Sequence, residues 1–372
     1  MINEANSIML ILTNQCNLRC VYCYENSDRQ VMSFETARDI LDRHLKLRSP
    51  GEKIRIELFG GEVLTQFPLL KRIYEYTVGT YGHLDLRFAF TTNGTLMHGE
   101  IRSWFAEHGR DFDCTLSLDG TPEMHDRNRR TRGDEGSYAL IDIPFFLEIW
   151  PGCVAKMTIS DRTLPDLAEG IMAIEAMGFS CKATFASGIS WDVPSIREML
   201  TAEFEKLVNY YSENERPLCH LFDLDLRAIF SKQDAPFRYC EAGVGRVCYD
   251  VQGRQYPCQG LASVSLGEEK AHLFENERFA DFSMTDGNPC KTCRWLRICR
   301  TCYAANYLET GCIEYADKNT CYLNRMSMLA SSAIQYRRIA KCPEKSLAQK
   351  QTVMAVAEIQ KKVLTEYGLK PV

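Results

Sequence analysis

Apolar, β-rich runs alternate with helix-period segments through the first half of the chain. Six such runs predict strands, at Ser7–Thr13, Lys53–Phe59, Leu84–Thr91, Asp113–Leu118, Cys153–Ser160 and Cys181–Ala186. Apolar residues that recur every three to four positions predict helices between and after them, at Phe34–Leu47, Phe67–Gly79, Gly99–His108, Tyr138–Trp150, Leu164–Met177 and Ile196–Tyr211. Six strand–helix units in series predict a parallel α/β sheet, open or curled into part of a barrel. The loops after the strands then share one face.

The second half of the chain has a different pattern. From Cys240 to about Cys321, cysteines, glycines and short turns replace the regular apolar period. Such a segment buries little apolar surface by itself, and bound metal would supply the missing stability. Helix-period stretches return from Met326. The predicted division is therefore a partial (βα)6 TIM-type barrel over residues 1–190, a helical connection over 191–239, a cysteine-rich domain over 240–325 and a helical tail over 326–372.

Composition narrows the class of protein. Of the 372 residues, 45% are hydrophobic and 25% are charged, with 44 basic against 49 acidic residues and a net charge of −5. This composition excludes a disordered chain, and it offers no basic excess for nucleic acid. No apolar run is long enough to span a bilayer and no signal peptide is recognisable, so the sequence predicts a cytoplasmic protein with no membrane partner.

Seventeen cysteines are the unusual feature of the composition. In a reducing compartment, clustered thiols are more often metal ligands than disulfides. Cys16, Cys20 and Cys23 form a CxxxCxxC group directly after the first predicted strand. A structural zinc ion needs a fourth ligand, which this loop does not offer before Asp28, whereas three thiolates suit a [4Fe–4S] cluster with one open iron. The alternatives are an incidental thiol cluster or a zinc site with a remote ligand.

This cysteine group, with Tyr22 before its last member, resembles the signature of radical S-adenosylmethionine (SAM) enzymes. Further motifs of that family follow in order: Gly60-Gly61-Glu62, Thr91-Thr92-Asn93-Gly94, and Ser117-Leu118-Asp119-Gly120 with His125-Asp126 and Arg129 after it. The resemblance covers about residues 7 to 190. It implies a [4Fe–4S] cluster that reductively cleaves SAM to a 5′-deoxyadenosyl radical. It also implies cofactor contacts at Tyr22, Gly60, Gly61, Glu62, Asn93, Ser117 and Arg129, with glycine wherever the cofactor approaches the backbone closely.

The remaining cysteine sets resemble the SPASM extension of these enzymes, which carries two auxiliary [4Fe–4S] clusters. Its ligand pattern implies one cluster on Cys240, Cys248, Cys258 and Cys302 and another on Cys290, Cys293, Cys299 and Cys321. The implied total is three clusters. The gap from Cys299 to Cys302 holds two residues where the pattern has three, and Cys312 is an extra candidate for either of the last ligands. The alternative is a pair of zinc ribbons in a non-catalytic binding scaffold.

SPASM-bearing relatives mostly modify peptides and proteins. Those that mature sulfatases have an Asp directly after the third cysteine of the first auxiliary set, where it acts as a base, and Gln259 stands there in this chain. An amide is no base at neutral pH. We therefore expect oxidative modification of a ribosomally synthesised precursor peptide, through a thioether or carbon–carbon crosslink, with sulfatase-type oxidation as the alternative. The sequence identifies no catalytic base.

The resemblance also implies protein partners. A flavodoxin- or ferredoxin-type protein is the expected electron donor. Many peptide-modifying relatives hold the leader peptide in an N-terminal winged-helix domain, for which the first predicted strand, beginning near Ser7, leaves no room. Leader recognition is therefore expected from a separate leader-binding protein, from the barrel, or from the 326–372 tail.

Overall fold

The structure, a computed structural model, describes residues 5–25, 28–231, 238–279, 284 and 286–367. Its strands are β1 (Ser7–Thr13), β2 (Leu18–Cys20), β3 (Lys53–Gly60), β4 (Asp85–Thr92), β5 (Phe112–Ser117), β6 (Arg129–Thr131), β7 (Val154–Ile159), β8 (Ser180–Phe185), β9 (Arg246–Tyr249) and β10 (Gln255–Tyr256). Its α-helices are α1 (Phe34–Leu45), α2 (Phe67–Tyr81), α3 (Gly99–His108), α4 (Pro122–Asn128), α5 (Ile143–Ile149), α6 (Leu167–Ala176), α7 (Pro194–Glu213), α8 (Ser263–Leu266), α9 (Glu268–Ala271), α10 (Tyr303–Thr310), α11 (Lys318–Ala340) and α12 (Leu347–Tyr367).

One sheet carries the predicted strands, in the order β10-β9-β1-β3-β4-β5-β7-β8. The pairs β1–β3, β3–β4, β4–β5 and β5–β7 are parallel. Each of the six predicted strands is present, as β1, β3, β4, β5, β7 and β8, with both ends within one residue of the prediction. This confirms the parallel α/β sheet expected of a partial barrel, in which the loops after the strands gather at one edge.

The helices between the strands form because one stripe of each is apolar. Helix α1 begins after Ser33, whose hydroxyl accepts a hydrogen bond from the Thr36 amide at 3.0 Å. Its buried side chains include Ile40, Leu41 and Leu45, which share one face of the helix at the three-to-four-residue period. Of the polar residues between them, Arg43 is exposed and Asp42 is half-buried, whereas His44 is buried with the apolar side chains. The same alternation of strand and amphipathic helix continues to α6.

Two short strands from the cysteine-rich segment extend the sheet beyond β1. Strand β9 pairs in parallel with β1, which puts Cys248 opposite Met9, and β10 pairs antiparallel with β9. Neither strand was predicted, because runs of two to four residues are too short to show an alternation. Their position matters for function, since it holds one of the candidate cluster ligands against the first strand.

The chain forms two compact units. The first contains Met1–Lys156, Ile174–Ser180 and Cys240–Phe282, and the second contains Met157–Ala173, Cys181–Tyr239 and Ser283–Val372. Within the second unit, α11 packs against both α7 and α12 and is buried along most of its length. None of the helices in the described part of the chain combines the length and the apolar character needed to cross a membrane.

Candidate functional site

The loop after β1 carries Cys16, Cys20 and Cys23 at the carboxyl edge of the sheet. Strand β2 lies in this loop and pairs with β6, so that Cys20 stands opposite Arg129. The Leu18 amide donates to the Cys16 Sγ at 3.4 Å, and the Cys23 amide donates to the Cys20 carbonyl at 3.2 Å. The three thiols lie close enough for the other two to raise the pKa of Cys16. The structure thus places the three predicted thiols on one loop, within electrostatic range of Cys16.

The protonation of these thiols is governed by their burial. Burial raises the pKa of Cys16 to about 12 and that of Cys20 to about 11, and it raises the pKa of Cys23 as well. The thiolate is the form that binds metal, so a bound cation must offset this desolvation. Across the described residues, no three Cys, His, Asp or Glu side chains already converge as ligands of one metal ion. As a donor set, three thiols on one loop fit an iron–sulfur cluster.

The Gly60-Gly61 pair at the end of β3 packs against the backbone that leads to the first cysteine. The Gly61 amide donates to the Thr13 carbonyl at 3.0 Å, and the Glu62 amide donates to the Gln15 carbonyl at 2.8 Å. A Cβ on Gly60 would lie 2.4 Å from the Thr13 carbonyl oxygen, and one on Gly61 would lie 2.6 Å from that of Gln15. The chain's own loop therefore requires both glycines, independently of any cofactor.

The buried Glu62 carboxylate joins the end of β3 to the end of β4. Its Oε1 accepts from the Leu64 amide at 3.1 Å and the Thr92 hydroxyl at 2.8 Å, and its Oε2 accepts from the Asn93 amide at 2.7 Å. Burial raises its pKa, and these three donors oppose the rise. Because a carboxylate offers about four acceptor positions, it retains capacity for one further donor, such as a ligand's amino group.

The Asn93 side chain links the hydrogen bonds of Glu62 to the cysteine loop. Its Nδ2 donates to Asn17 Oδ1 at 2.9 Å, and its Oδ1 accepts from the Thr95 amide at 3.0 Å and the Thr95 hydroxyl at 2.7 Å. The Asn17 Nδ2 completes the network by donating to the Thr95 hydroxyl at 2.8 Å. The Asn93 side chain thus orients the residue that directly follows Cys16. The sequence did not suggest this role for Asn17 or Thr95.

Asp119, two residues beyond β5, is the acceptor at the centre of the charged part of the site. It is fully buried. Its Oδ2 accepts from the Tyr22 hydroxyl at 2.5 Å and from Asn128 Nδ2 at 3.1 Å, and its Oδ1 accepts from Arg129 Nη2 at 3.0 Å. Arg129 also stands over the Tyr22 ring, 5.5 Å from its centre, and its charge opposes the rise in the pKa of Cys20. The sequence motif contains Asp119, but only its burial beside an arginine shows what it does.

Two polar groups here are open to a ligand. The buried Arg129 Nε has no acceptor within the described part of the chain. The Ser117 hydroxyl, at the end of β5, likewise makes no hydrogen bond to any described residue. A buried guanidinium N–H and a hydroxyl suit the carboxylate of an amino-acid moiety. These residues therefore fit the methionine end of SAM, as the sequence predicts for Ser117 and Arg129.

The first auxiliary set is divided between the two units. Cys248, Cys258 and Cys240 belong to the first unit. Cys248 is fully buried, and burial together with the nearby Cys258 thiol raises its pKa well above the usual range, whereas Cys240 is exposed. Cys302 belongs to the second unit, where its exposed side chain caps α10 and accepts from the Ala305 amide at 3.2 Å.

The second auxiliary set lies entirely within the second unit: Cys290, Cys293, Cys299 and Cys321. Burial raises the pKa of Cys299 to about 12, Arg325 opposes the rise, and the other three thiols add to it. Arg325 Nη2 lies 3.6 Å from the Cys293 Sγ, so its charge is placed to balance thiolates. Cys321 is among the thiols that raise this pKa and Cys312 is not, which favours Cys321 over Cys312 as the neighbour of the other three.

Comparisons with known proteins bear on this arrangement. The radical SAM superfamily pattern matches residues 10–142. The cysteine-type anaerobic sulfatase-maturating enzyme of Clostridium perfringens is 31% identical over 320 residues, which cover 77% of this chain and 85% of that enzyme. The structure of anSMEcpe with bound AdoMet has a TM-score of 0.68 at 16% identity, covering 94% of this chain and 98% of that one. Streptococcus suis SuiB bound to its precursor peptide SuiA has a TM-score of 0.56 at 16% identity, covering 86% and 76%.

The parallel α/β sheet carries three thiols after its first strand and buried, hydrogen-bonded polar side chains after each of the next three strands. This arrangement defines an enzyme that works on S-adenosylmethionine. The chain belongs to the radical SAM superfamily, and its relatives include an anaerobic sulfatase-maturating enzyme. Membership implies a [4Fe–4S] cluster together with SAM. It also decides against the non-catalytic zinc scaffold.

Proposed function

We propose that this enzyme oxidatively modifies a ribosomally synthesised precursor peptide, by forming a thioether or carbon–carbon crosslink. The observation that carries this proposal is Gln259, directly after Cys258. Its buried Oε1 has no hydrogen-bond partner among the described residues, and an amide takes no proton at neutral pH. The position at which sulfatase maturases hold their base therefore has none here. The precursor-peptide complex of SuiB supports a peptide of this class as the substrate.

The proposal assigns three clusters to the cysteine sets. One belongs to Cys16, Cys20 and Cys23, with SAM beside it. The auxiliary pair belongs to Cys240, Cys248, Cys258 and Cys302 and to Cys290, Cys293, Cys299 and Cys321. When bound, the first cluster and SAM supply a 5′-deoxyadenosyl radical that removes a hydrogen atom from the substrate. Auxiliary clusters with four cysteine ligands have no open iron, so they suit the acceptance of the electron that the substrate then loses.

The chain's own residues position the cofactor in this proposal. Arg129 and Ser117 bind the methionine carboxylate, and Asp119 holds the Arg129 guanidinium in place. Glu62 receives the amino group, while Tyr22 and the Gly60-Gly61 turn hold the cysteine loop against the sheet. Every one of these groups lies in the first compact unit, so the pairing of cofactor and cluster depends on one packed body.

The functional parts and partners follow the same proposal. We assign the radical SAM barrel to residues 1–190, the connection to 191–239, the SPASM domain to 240–325 and the tail to 326–372. A flavodoxin- or ferredoxin-type protein supplies electrons, and a separate leader-binding protein presents the peptide. The cytoplasm is the proposed location, because clustered thiols persist in a reducing compartment.

The decisive experiment offers the reduced, reconstituted enzyme two substrates together with SAM. One is the precursor peptide encoded nearest to the gene, and the other is a sulfatase-derived peptide with Cys or Ser at the modified position. Loss of two hydrogens from the precursor, detected by mass, is the expected result. Formylglycine in the sulfatase peptide, with the precursor unchanged, would show instead that sulfatase-type oxidation is the activity and that a group other than Gln259 acts as base.

A second experiment tests the cluster assignment. Replacing Cys16, Cys20 and Cys23 together with Ala should abolish 5′-deoxyadenosine formation while the auxiliary iron remains bound. Iron content and 5′-deoxyadenosine are measured on the same anaerobic samples. If the triple variant cleaves SAM at the wild-type rate, these thiols do not hold the reactive cluster.

A further inference from the structure

A cavity of about 370 Å³ lies wholly within the second unit. Its apolar wall includes Phe185, Trp191, Leu224 and Leu323. The rings of Phe185 and Trp191 meet edge to face with their centres 5.0 Å apart. The Trp191 indole N–H donates to the Ala186 carbonyl at 3.0 Å, so its polar atom is satisfied. The volume lies in the range of ligand pockets and has room for a large side chain with part of its neighbour.

A guanidinium forms the polar end of this cavity. Arg300 Nη1 donates to the His220 carbonyl and lies 2.6 Å from His220 Nδ1, while Nη2 donates to the Asp223 carbonyl. The Asn324 side chain fixes the Arg300 backbone through bonds of 2.9 and 3.0 Å. Every acceptor of the guanidinium is neutral, and no carboxylate in the described part of the chain forms an ion pair with it. The guanidinium is thus held by neutral acceptors, and the Asp223 carboxylate acts on it electrostatically without forming an ion pair.

The two carboxylates that line the cavity are engaged elsewhere. Asp317 accepts from the first backbone amides of α11 at 2.8 and 3.0 Å and so caps that helix. Glu309 accepts from the Gly188 amide at 3.1 Å, which ties down the loop after β8. Neither one pairs with Arg300. The cavity therefore combines an apolar aromatic wall with one positive charge that its own lining does not neutralise.

We propose that this cavity binds the part of the peptide substrate in which an acidic residue adjoins an aromatic residue. The acidic side chain bonds to the Arg300 guanidinium, since charge-assisted hydrogen bonds are stronger than those to neutral acceptors. The aromatic side chain packs against Phe185 and Trp191. The inference rests on the proposed function in taking the ligand to be a peptide, and it adds the recognition sequence. In the competing explanation, Arg300 merely balances thiolates at Cys299 and Cys302, and the cavity then has no preference for acidic peptides.

Binding of three short peptides to the reconstituted enzyme tests the proposal. Each carries an N-terminal fluorescein for anisotropy measurements, and their sequences are Gly-Gly-Trp-Asp-Gly-Gly, Gly-Gly-Trp-Asn-Gly-Gly and Gly-Gly-Gly-Asp-Gly-Gly. We expect the Trp-Asp peptide to bind about tenfold more tightly than either of the others, as the loss of one charge-assisted bond or one buried ring implies. Equal affinities for the three peptides would overturn the proposal.

Variants of the enzyme test which residues are responsible for the preference among the three peptides. Arg300→Gln should abolish the preference for Asp over Asn, and Arg300→Lys should keep part of it. Ala305→Leu, which adds a larger apolar side chain to the cavity lining and leaves the arginine in place, should weaken the binding of both Trp peptides equally. Arg227→Gln is the matched control, because Arg227 is an exposed arginine paired with Asp225 outside the cavity. A preference for Asp that survives in Arg300→Gln would refute the role of the guanidinium. If that variant does not fold, unchanged binding in Ala305→Leu refutes the pocket instead.

The same samples separate this inference from the proposed function. If the peptide preference holds but no precursor peptide is modified in the presence of SAM and reductant, the proposed function fails and the pocket stands. If the precursor is modified while the three peptides bind equally, the function stands and the pocket fails.

Discussion

Replacing Asp119 with Asn should strongly destabilise the first unit, because the Arg129 guanidinium would stay buried without its counter-charge. The Asp119 carboxylate has no exposed surface and accepts from three donors, at 2.5, 3.0 and 3.1 Å. The Asn side chain keeps the shape of Asp119 but removes its charge. Its NH2 group also replaces one acceptor oxygen with a donor that faces the donors of the neighbouring side chains. Removing one partner of a buried ion pair typically costs about 3–5 kcal/mol, and we expect that loss here.

The assay is urea unfolding of the reconstituted enzyme under anaerobic conditions, followed by tryptophan fluorescence. Tyr22→Phe is the matched control, since it removes one hydrogen bond to the same carboxylate and should cost only about 1 kcal/mol. The double variant Asp119→Asn with Arg129→Gln removes both charges and should recover much of the stability, because an absent pair costs less than a broken one. A loss below about 1 kcal/mol in Asp119→Asn, or a double variant less stable than the single one, would refute the counter-charge reasoning.

Three further predictions concern glycine, auxiliary ligands and pH. Gly61→Ala should displace the cysteine loop and abolish 5′-deoxyadenosine formation, whereas Gly79→Ala, whose added methyl group meets open space, should leave it unchanged. Cys293→Ala should lower both the iron content and the soluble yield, whereas Cys312→Ala should lower neither. The measurement that checks this is the iron content per chain of each variant. Burial lowers the pKa of His44 from 6.5 to about 4. Between pH 4 and 6.5 the unfolded chain therefore binds more protons at His44 than the folded chain does. The free energy of unfolding is accordingly highest above pH 6.5 and falls by up to about 3 kcal/mol as the pH drops towards 4. Urea unfolding of His44→Gln should show a correspondingly flatter pH dependence, and an unchanged slope would contradict the assignment.

The sheet could be predicted closely from the sequence because its strands are long and buried. A parallel strand covered on both faces appears as a continuous apolar run, and Ser7–Thr13 was predicted with both of its ends correct. The short strands β2, β6, β9 and β10 could not be predicted in this way. Each is two to four residues long. The strands β2, β6 and β9 also pair with partners far along the chain, such as Arg129 for Cys20, whereas β10 pairs with the neighbouring β9.

The site could be predicted in its residues and less well in their roles. The ordered motifs pointed to Glu62 and Asn93 as cofactor contacts, and the structure shows that both side chains already bond to their own chain. Sequence reasoning explained Gly61 by the approach of a cofactor, whereas the Gln15 carbonyl supplies a sufficient reason by itself. Asp119 had no role until its burial against Arg129 was visible. The spacing of residues along the sequence does not show hydrogen-bond partners of this kind.

The sequence by itself indicated the class of this protein, because the first cysteine group and the ordered motifs after the next strands, which carry the resemblance to radical SAM enzymes, are local. Three thiols within eight residues share one loop whatever the rest of the chain does, and their number alone favours a cluster with an open iron. The tertiary structure decided which polar groups pair, such as Asp119 with Arg129, and which carbonyls hold the Arg300 guanidinium. These are contacts between segments far apart in sequence, and they depend on how helices and strands pack, which no local spacing encodes.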